Sequence, residues 1–311
     1  MSAAKDVKTG FRVPLDVEVP ASTSNLGTGF DCLGLALDLA LKARLLGPSG
    51  AAHEVERTGE GAGAVFAPGE DLFLVGFERG RELLPFEGHY RFALHSEIPM
   101  GRGLGSSAAA LSAGLFLARA LAAPDEDPAA TQAAICNEVS RIEGHPDNAA
   151  AAVYGGCALG VPLEDGSVSL LFPEIAPQVG LVLTWPERTF STHASRGLLP
   201  EQVSFADAVE NPRRLAFLLE GLRTANADWV RIGIEDRLHV PYRLAALEEA
   251  RAAIAAAEAA GAWGATLSGA GSGVVVVCAR EDAERIARAL PAEQTSRVVG
   301  PGTAPLVHES K

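Results

Sequence analysis

The segment Pro99-Met100-Gly101-Arg102-Gly103-Leu104-Gly105-Ser106-Ser107-Ala108-Ala109 places three alternating glycines and two serines before a run of small and apolar residues. Glycine adopts positive φ at little cost, so this backbone is able to curl and direct successive N–H groups into one concavity. Residues 107–121 predict a helix, whose free N–H groups and positive dipole end would point at the same concavity. The pattern indicates a polyphosphate site, with both serines placed to touch a phosphate oxygen or its magnesium ion. The alternative is a glycine-rich turn capped by serine before an ordinary helix.

Two better-known phosphate-binding loops are excluded. A Walker loop requires Gly-Lys followed by Ser or Thr, and none of the lysines (Lys5, Lys8, Lys42 and Lys311) follows a glycine. The dinucleotide-binding fingerprint requires Gly-x-Gly-x-x-Gly, and here the third glycine comes one residue too early. The pattern that remains is a phosphate loop that works without lysine.

Composition and charge narrow the class of protein. The formal net charge of -13, without a basic cluster, argues against nucleic acid or an anionic membrane as a partner. The four cysteines are widely separated and are interpreted as free thiols in a reducing cytoplasm. The segment 1–16 has no apolar signal core, so export is not expected.

The order of predicted elements favours the α+β class, in which runs of strands and runs of helices are segregated. Strands are expected at 15–19, 35–46, 90–96, 157–161, 168–171, 179–184, 273–279 and 296–299. Helices are expected at 107–121, 128–143, 148–153, 205–223, 226–232, 243–260 and 281–289. The length of 311 residues predicts two domains, 1–165 and 166–311, with Pro173–Pro177 as a second candidate for the boundary.

The loop and three further motifs resemble those of the GHMP kinase superfamily, small-molecule kinases named for galactose, homoserine, mevalonate and phosphomevalonate. Residues 19–34, Val-Pro-Ala-Ser-Thr-Ser-Asn-Leu-Gly-Thr-Gly-Phe-Asp-Cys-Leu-Gly, are similar to its first motif, and residues 99–109 to its signature loop. Residues 267–273, Leu-Ser-Gly-Ala-Gly-Ser-Gly, are similar to its third motif, with Ser272 where proline is common. Residues 143–148, Glu-Gly-His-Pro-Asp-Asn, are similar to the element that marks homoserine kinases, although Ala149–Ala151 replaces the usual Val-Ala-Pro.

The resemblance implies a fold and a reaction. The expected fold is a two-domain α+β GHMP kinase fold, with an N-terminal domain like the second domain of ribosomal protein S5 and a ferredoxin-like C-terminal domain. The expected reaction is ATP-dependent phosphorylation of the side-chain hydroxyl of L-homoserine, a step of threonine biosynthesis, in the cytoplasm. The implied cofactors are ATP and Mg²⁺, the partner is the small-molecule substrate, and a homodimer is one candidate assembly.

The resemblance also assigns the phosphate and metal sites. The eleven loop residues, Pro99 to Ala109, are expected to bind ATP. Magnesium prefers few protein oxygens and keeps several waters, and Ser106 with Glu138 is expected to hold it. Glu138 is chosen because it lies on a predicted helix one to two turns before His145, where homoserine kinases place a carboxylate. An exposed helix charge is the alternative, and Glu143 is a second candidate for the metal.

An amino-acid acceptor would require a cationic group for its carboxylate and an acidic or amide partner for its ammonium. Arg196 and Arg243 match the positions that hold the carboxylate in homoserine kinases, and guanidinium offers paired donors in a fixed plane. The remaining substrate-binding residues are expected to be Asn25, Asp31, His145, Asp147, Asn148 and Thr192. The catalytic set is expected to be Asn148, Asp147, Ser106 and Glu138.

Three questions stay open at the level of sequence. Asp147 is either a general base or a partner of the ammonium, and a loose transition state needs little help from a base. Another kinase of the superfamily, acting on L-threonine or mevalonate, is the first alternative function. A non-catalytic ligand sensor on the same scaffold is the second.

Overall fold

The computed structural model describes residues 14–309, and its first sheet has seven strands. They are β1 (Leu15–Asn25), β2 (Gly29–Pro48), β3 (Glu54–Gly59), β4 (Tyr90–Ser96), β5 (Cys157–Pro162), β6 (Val168–Leu171) and β11 (His308–Glu309). The order is β11-β1-β2-β4-β3, with β5 beside β2 and β6 beside β5. Only the β3–β4 pair is parallel among these pairings. The long β2 holds the sheet together because its first part pairs with β5 and its second part with β4.

The second sheet has four antiparallel strands. They are β7 (Val179–Trp185), β8 (Gly264–Leu267), β9 (Val274–Ala279) and β10 (Thr295–Val299). Their spatial order is β10-β7-β9-β8. Numbered within this sheet, the order is fourth, first, third, second, with helices in the first and last connections, which is the ferredoxin-like arrangement.

Ten helices pack on the two sheets within the described residues. They are α1 (Leu72–Leu83), α2 (Ser106–Ala122), α3 (Pro128–Glu143), α4 (Asp147–Tyr154), α5 (Thr192–Arg196), α6 (Phe205–Thr224), α7 (Ala227–Gly233), α8 (Val240–Leu244), α9 (Glu248–Ala259) and α10 (Ala283–Ala289). Helix α2 is small and apolar on nearly every side and is buried against α1 and the first sheet. Helix α3 begins at an Asp127 cap followed by proline and ends at Gly144 with φ of 83°, as helix-end chemistry favours.

The structure confirms the α+β class and revises the limits of several elements. The single helix expected at 243–260 is two helices, α8 and α9, separated by residues 245–247. Strand β6 joins the first sheet, so that sheet continues past the division expected at 165/166. Residues 172–178 connect the two sheets, and we therefore propose a domain division in this segment, which contains Pro173–Pro177.

The structure also bears on the expectations for the cysteines and for the segment 1–16. All four cysteines are free, as expected. Most of the segment 1–16, interpreted as lacking a signal core, lies outside the described residues. Within residues 14–309, none of the helices combines the length and apolar character needed to cross a membrane.

Candidate active site

The glycine-rich loop and the other three motifs meet in a cleft of about 410 Å³ between the two sheets. The loop contributes Gly101, Gly103, Gly105 and both serines to the wall of this cleft. Gly101, Gly103 and Gly105 have φ values of 69°, 73° and 68°, so each adopts the left-handed conformation that glycine permits. Helix α2 starts at Ser106, directly after Gly105. The N-terminal amides and positive dipole end of α2 therefore lie at the loop.

The first and third motifs hold the loop in place through hydrogen bonds. The Ser268 hydroxyl donates to Gly103 O at 2.7 Å, and its oxygen lies 2.8 Å from the hydroxyl oxygen of Thr23. The backbone N–H of Ser22 donates to Leu104 O at 3.2 Å. A Cβ atom at Gly103 would lie 1.9 Å from Ser268 O, so glycine is required for this close approach. The motifs that are far apart in sequence thus form one packed unit around the loop.

Four of the loop residues that are expected to bind ATP lie away from the cleft. Pro99, Arg102, Ala108 and Ala109 do not line the cleft or the apolar pocket next to it. Arg102 instead donates to the carbonyl oxygens of Pro186 and Glu187. This contact ties the loop to the segment after β7, so Arg102 has a structural partner rather than an exposed position at the phosphate site.

The carboxylate beside the loop belongs to Glu143. Its Oε1 atom accepts a hydrogen bond from Ser107 Oγ at 2.5 Å. The other oxygen, Oε2, is buried and has no hydrogen-bond partner among the described residues. Burial raises the pKa of Glu143 to about 7, against the lowering effect of the Ser107 hydroxyl. A buried carboxylate oxygen without a partner, next to a serine at the phosphate loop, fits a cation.

Glu138 is not brought to the cleft, so its expected metal role is corrected. Its carboxylate accepts hydrogen bonds from Arg79, through Nε at 2.6 Å, and from Arg141, through Nη2 at 2.5 Å. These two guanidinium groups neutralise it, and the hydrogen bonds from Arg141 and Arg79 lower the pKa of Glu138 against the effect of burial. Glu138 is a helix charge, as in the alternative, but it is largely buried and ion-paired rather than exposed.

The His-Pro-Asp-Asn element forms one wall of the cleft. His145 Nδ1 and Asp147 Oδ1 lie 2.6 Å apart, and the same oxygen accepts from the backbone N–H of Asn148 at 2.6 Å. Burial disfavours protonated His145, but the hydrogen bond and charge of Asp147, together with the charges of Glu143 and Asp31, outweigh it and raise the pKa of His145. The Asn148 amide bridges two hydroxyls, accepting from Ser22 Oγ at 2.8 Å and donating to Ser24 Oγ at 3.1 Å.

Asn25 lines the cleft, but its side chain is occupied by the backbone. Its Nδ2 atom donates to Gly269 O at 2.9 Å, and its Oδ1 atom accepts from the N–H of Asp31 at 3.0 Å. Asn25 has a φ of 71°, a left-handed conformation that asparagine tolerates better than most residues. Asn25 therefore joins the first motif to the third and sets the position of Asp31.

Asp31 and Arg196 form a bidentate ion pair across the cleft, with oxygen–nitrogen distances of 2.7 and 3.0 Å. Asp31 lies on β2 of the first sheet. Arg196 is the last residue of α5, the helix that follows β7 of the second sheet. The hydrogen bonds that Arg196 donates to Asp31 raise the pKa of Arg196. Thr192, at the start of α5, also lines the cleft. Both charges that the acceptor site was expected to supply are therefore present, and they are paired with each other.

Arg243 is almost entirely buried, with 2% of its surface exposed, and it also lines the cleft. Burial, together with the nearby charge of Arg196, lowers the pKa of Arg243 to about 10. Its Cζ atom lies 5.3 Å from the ring centroid of Phe30, and that of Arg196 lies 5.8 Å from the same centroid. Sequence reasoning did not single out Phe30, although it stands next to Asp31 in the first motif.

An apolar pocket of about 140 Å³ adjoins the cleft and shares Ser106 and Ser107 with it. Phe66, Leu72 and Ile98 form part of its lining, and Asp71 stands at its edge in an ion pair with Arg57. An apolar lining of this kind suits an aromatic group carried by a ligand of the loop. Sequence patterns did not predict this pocket, because part of its lining comes from α1, β3 and the segment between them, which carry no recognisable pattern.

Comparison with known families assigns the class. The family model described as the GHMP kinases N terminal domain matches residues 74–156, and the model described as GHMP kinases C terminal matches residues 218–295. Fold and site together therefore define a small-molecule kinase of the GHMP type. The homoserine kinase from Cytophaga hutchinsonii has the same fold, with a TM-score of 0.83 over 99% of this chain and 100% of that chain, at 23% identity.

Curated relatives narrow the assignment further. Homoserine kinase from Synechococcus sp. (strain CC9605) is 36% identical over 281 residues, covering 88% of this chain and 87% of the relative. Homoserine kinase from Moorella thermoacetica is 38% identical over 268 residues, covering 84% of this chain and 86% of the relative. The chain belongs to the homoserine kinase family. The expected two-domain GHMP kinase fold is thereby confirmed.

Proposed function

We propose that this protein transfers the γ-phosphoryl group of ATP to the side-chain hydroxyl of L-homoserine, giving O-phospho-L-homoserine. The observation that carries the proposal is a single cleft that holds a lysine-free phosphate loop together with the charged side chains of Asp31, Arg196 and Arg243. Phosphoryl transfer to an alcohol depends mainly on positioning and on charge stabilisation, and this cleft supplies groups for both.

The nucleotide side of the cleft supports ATP as the donor. The backbone amides at the start of α2 would bind the phosphates, and Ser106 and Ser107 would donate hydroxyl hydrogen bonds to them. The apolar pocket behind the serines would take the base, since it opens directly beside them. An acidic protein with net charge -13 would thus bind a polyanion through local dipoles rather than through its overall field.

The residues beside the loop fit a magnesium ion. Glu143 would supply a carboxylate oxygen, because its Oε2 atom is buried and has no partner among the residues described. A serine hydroxyl of the loop would supply a second oxygen, leaving the remaining positions to water and phosphate. The bound ion would neutralise charge on the transferring phosphate. Its presence would also favour the ionised form of Glu143, whose pKa burial otherwise raises to about 7.

The acceptor side supports an amino acid. The substrate carboxylate would bind Arg243 and Arg196, and the ammonium would bind Asp31. The zwitterion would thus replace the Asp31–Arg196 ion pair with one ion pair to each of its own charges. A carboxylate without an ammonium would leave Asp31 unpaired, and a partner left unpaired typically costs about 2–5 kcal/mol. This exchange favours homoserine over a mevalonate-type acceptor. Thr192 and His145 would contact the rest of the substrate, since both line the same cleft.

Asp147 and Asn148 are proposed to position groups rather than to remove a proton. Asp147 Oδ1 already receives the Asn148 N–H and lies 2.6 Å from His145 Nδ1. The Asn148 amide is held by Ser22 and Ser24, which connects the acceptor wall to the phosphate loop. No strong general base is assigned, because a loose transition state requires little assistance at the attacking hydroxyl.

The test is direct identification of the product. Purified protein with magnesium, ATP and L-homoserine should release ADP and give one new phosphomonoester in the ³¹P spectrum, with the mass of phosphohomoserine. The Arg243→Ala variant, which lacks the buried cation, is the matched control and should give little product at the same substrate concentration. Binding of L-homoserine without any phosphoester would instead support the ligand-sensor alternative.

A further inference from the structure

Among the residues that the structure describes, the guanidinium of Arg243 has hydrogen-bond partners at only one of its nitrogens. Nη1 donates to Nδ1 of His239 at 3.0 Å and to Gly269 O at 3.2 Å. Nε is buried and has no hydrogen-bond partner within residues 14–309. In a planar guanidinium, Nε and Nη2 share the edge that faces away from Nη1, and their two parallel N–H groups match a carboxylate. The contacts at Nη1 thus leave the carboxylate-binding edge open.

The charge of Arg243 also requires a partner. Both groups bonded to Nη1 are neutral, one an imidazole and the other a backbone carbonyl. Burial lowers the pKa of Arg243 and outweighs the charges of Asp31 and Asp236, which favour the cation. A buried cation whose hydrogen-bond partners are neutral is costly, and a bound anion would compensate it. Because Arg243 lines the cleft, the anion would come from the ligand.

His239 is itself fixed from several sides. Its Nε2 atom lies 2.8 Å from Gly27 O, and its backbone N–H donates to Asp236 Oδ2 at 2.7 Å. Its ring stacks on Phe30, with a centroid distance of 4.7 Å and an angle of 18°. A carbonyl only accepts and a guanidinium only donates, so the proton is on Nε2 and Nδ1 is the acceptor. Burial lowers the pKa of His239, which favours this neutral form.

We propose that His239 is a positioning residue for Arg243, setting the rotation of the guanidinium so that its Nε–Nη2 edge faces the carboxylate of the acceptor. The two hydrogens of Nη1 have different acceptors, His239 and Gly269, and together these fix the guanidinium plane. Gly269 O alone would leave rotation about the contact free. The identity of the acceptor rests on the proposed function, but the orientation of Arg243 does not.

Two variants separate the two ring nitrogens. In His239→Asn, the Oδ1 atom stands near the position of Nδ1 and is able to accept from Arg243, whereas the bond to Gly27 is lost. In His239→Gln, the Nε2 atom stands near the position of the ring Nε2 and is able to donate to Gly27, whereas the acceptor for Arg243 is lost. We expect His239→Gln to raise the KM for L-homoserine about tenfold or more, the usual effect of a hydrogen bond to a charged group. His239→Asn should stay within about threefold of the unsubstituted protein, and the KM for ATP should be unchanged in both.

A second acceptor tests whether the effect acts through the carboxylate. The compound 3-aminopropan-1-ol is homoserine without its carboxylate, so its kcat/KM should be equal in the unsubstituted protein and both variants. Equal losses in His239→Asn and His239→Gln, or an equal loss with 3-aminopropan-1-ol, would overturn the proposal. If L-homoserine binds without being phosphorylated, the proposed function fails, and the same comparison by calorimetric Kd still decides the role of His239.

The unsubstituted protein offers a test that does not depend on folding of a variant. The ¹⁵N spectrum of His239 at pH 7 should report a protonated Nε2 and an unprotonated Nδ1. The opposite tautomer, or an imidazolium, would be unable to accept from Arg243 and would contradict the proposal.

Discussion

Glu138 and Glu143 lie five positions apart on α3, and this spacing decides which of them reaches the phosphate loop. At 3.6 residues per turn, five residues rotate the side chain by roughly 140° beyond one full turn. The two carboxylates therefore point to different sides, Glu143 to Ser107 and Glu138 to Arg79 and Arg141. A sequence motif places both residues near the site but does not show which face of α3 the loop will contact.

The pair Glu143→Gln and Glu138→Gln tests this assignment. Glu143→Gln removes the charge next to Ser107, so we expect kcat to fall at least about 100-fold and the magnesium requirement to rise. Glu138→Gln removes only an ion-pair network at the side of α3, so kcat should stay near that of the unsubstituted protein. The measurement is a magnesium titration of the initial rate in both variants. The reverse pattern would restore Glu138 as the metal ligand.

Phe30→Leu tests the aromatic ring beside the two arginines. Leucine keeps much of the apolar volume but removes the π face that lies 5.3 Å from Arg243 and 5.8 Å from Arg196. A cation–π contact contributes about 0.5–2 kcal/mol, so the KM for L-homoserine should rise between about twofold and thirtyfold. The KM for ATP is the internal control, and a change of equal size there would mean that the substitution disturbs the cleft as a whole.

At the scale of elements, glycine residues determine how closely helices α1 and α2 approach each other. Helix α1 escaped prediction because Gly76 and Gly80 interrupt its pattern, yet these glycines allow it to pack against α2. A Cβ atom at Gly76 would lie 2.2 Å from Leu111 O, and one at Gly114 would lie 2.2 Å from Phe73 O. Local propensity counts such glycines against a helix, whereas the packing of two helices requires them here.

The requirement for glycine at a close backbone contact is testable in the glycine-rich loop. Gly103 and Gly166 have φ values of 73° and 83°, but a Cβ atom at Gly166 meets nothing within 4 Å, while one at Gly103 meets Ser268 O at 1.9 Å. Alanine at either position should cost about 1–2 kcal/mol for the left-handed conformation. Gly103→Ala should in addition separate the loop from the third motif, raising the KM for ATP and lowering kcat. Equal effects of the two substitutions on stability and kinetics would mean that the close contact is unimportant.

At the scale of the molecule, the acceptor site is assembled from both halves of the chain. Asp31 belongs to the first sheet. Arg196 and Arg243 lie on α5 and α8, two helices between strands β7 and β8 of the second sheet. We therefore expect L-homoserine to stabilise the whole protein, by about 2.7 kcal/mol at a concentration of 100 times its Kd. Thermal unfolding should shift upward by several degrees, and Arg243→Ala should abolish the shift. An unchanged melting temperature at saturating L-homoserine would argue that the site does not bind it.

The sequence predicted the parts of this assembly better than their arrangement. Strands β4 and β6 and helix α3 have the predicted limits, because their patterns and end signals are local. The Asp31–Arg196 pair, the contact of Ser268 with Gly103 and the His239–Arg243 contact join distant residues, and no local pattern indicates them. The motifs indicated which residues meet in the cleft, but only the fold shows which side chains form hydrogen bonds and ion pairs with one another.

The central claim, that the cleft recognises a zwitterion and phosphorylates its terminal hydroxyl, is tested most directly by comparing kcat/KM for a series of acceptors. The series is L-homoserine, D-homoserine, L-threonine, L-serine, mevalonate and galactose, with magnesium and ATP held constant. L-homoserine should give the highest value, since its carboxylate and ammonium meet Arg243, Arg196 and Asp31 while its hydroxyl reaches the phosphate. L-serine is one methylene shorter and should lose mainly kcat, and mevalonate should be rejected because Asp31 would be left unpaired. A higher kcat/KM for mevalonate or galactose than for L-homoserine would contradict the account.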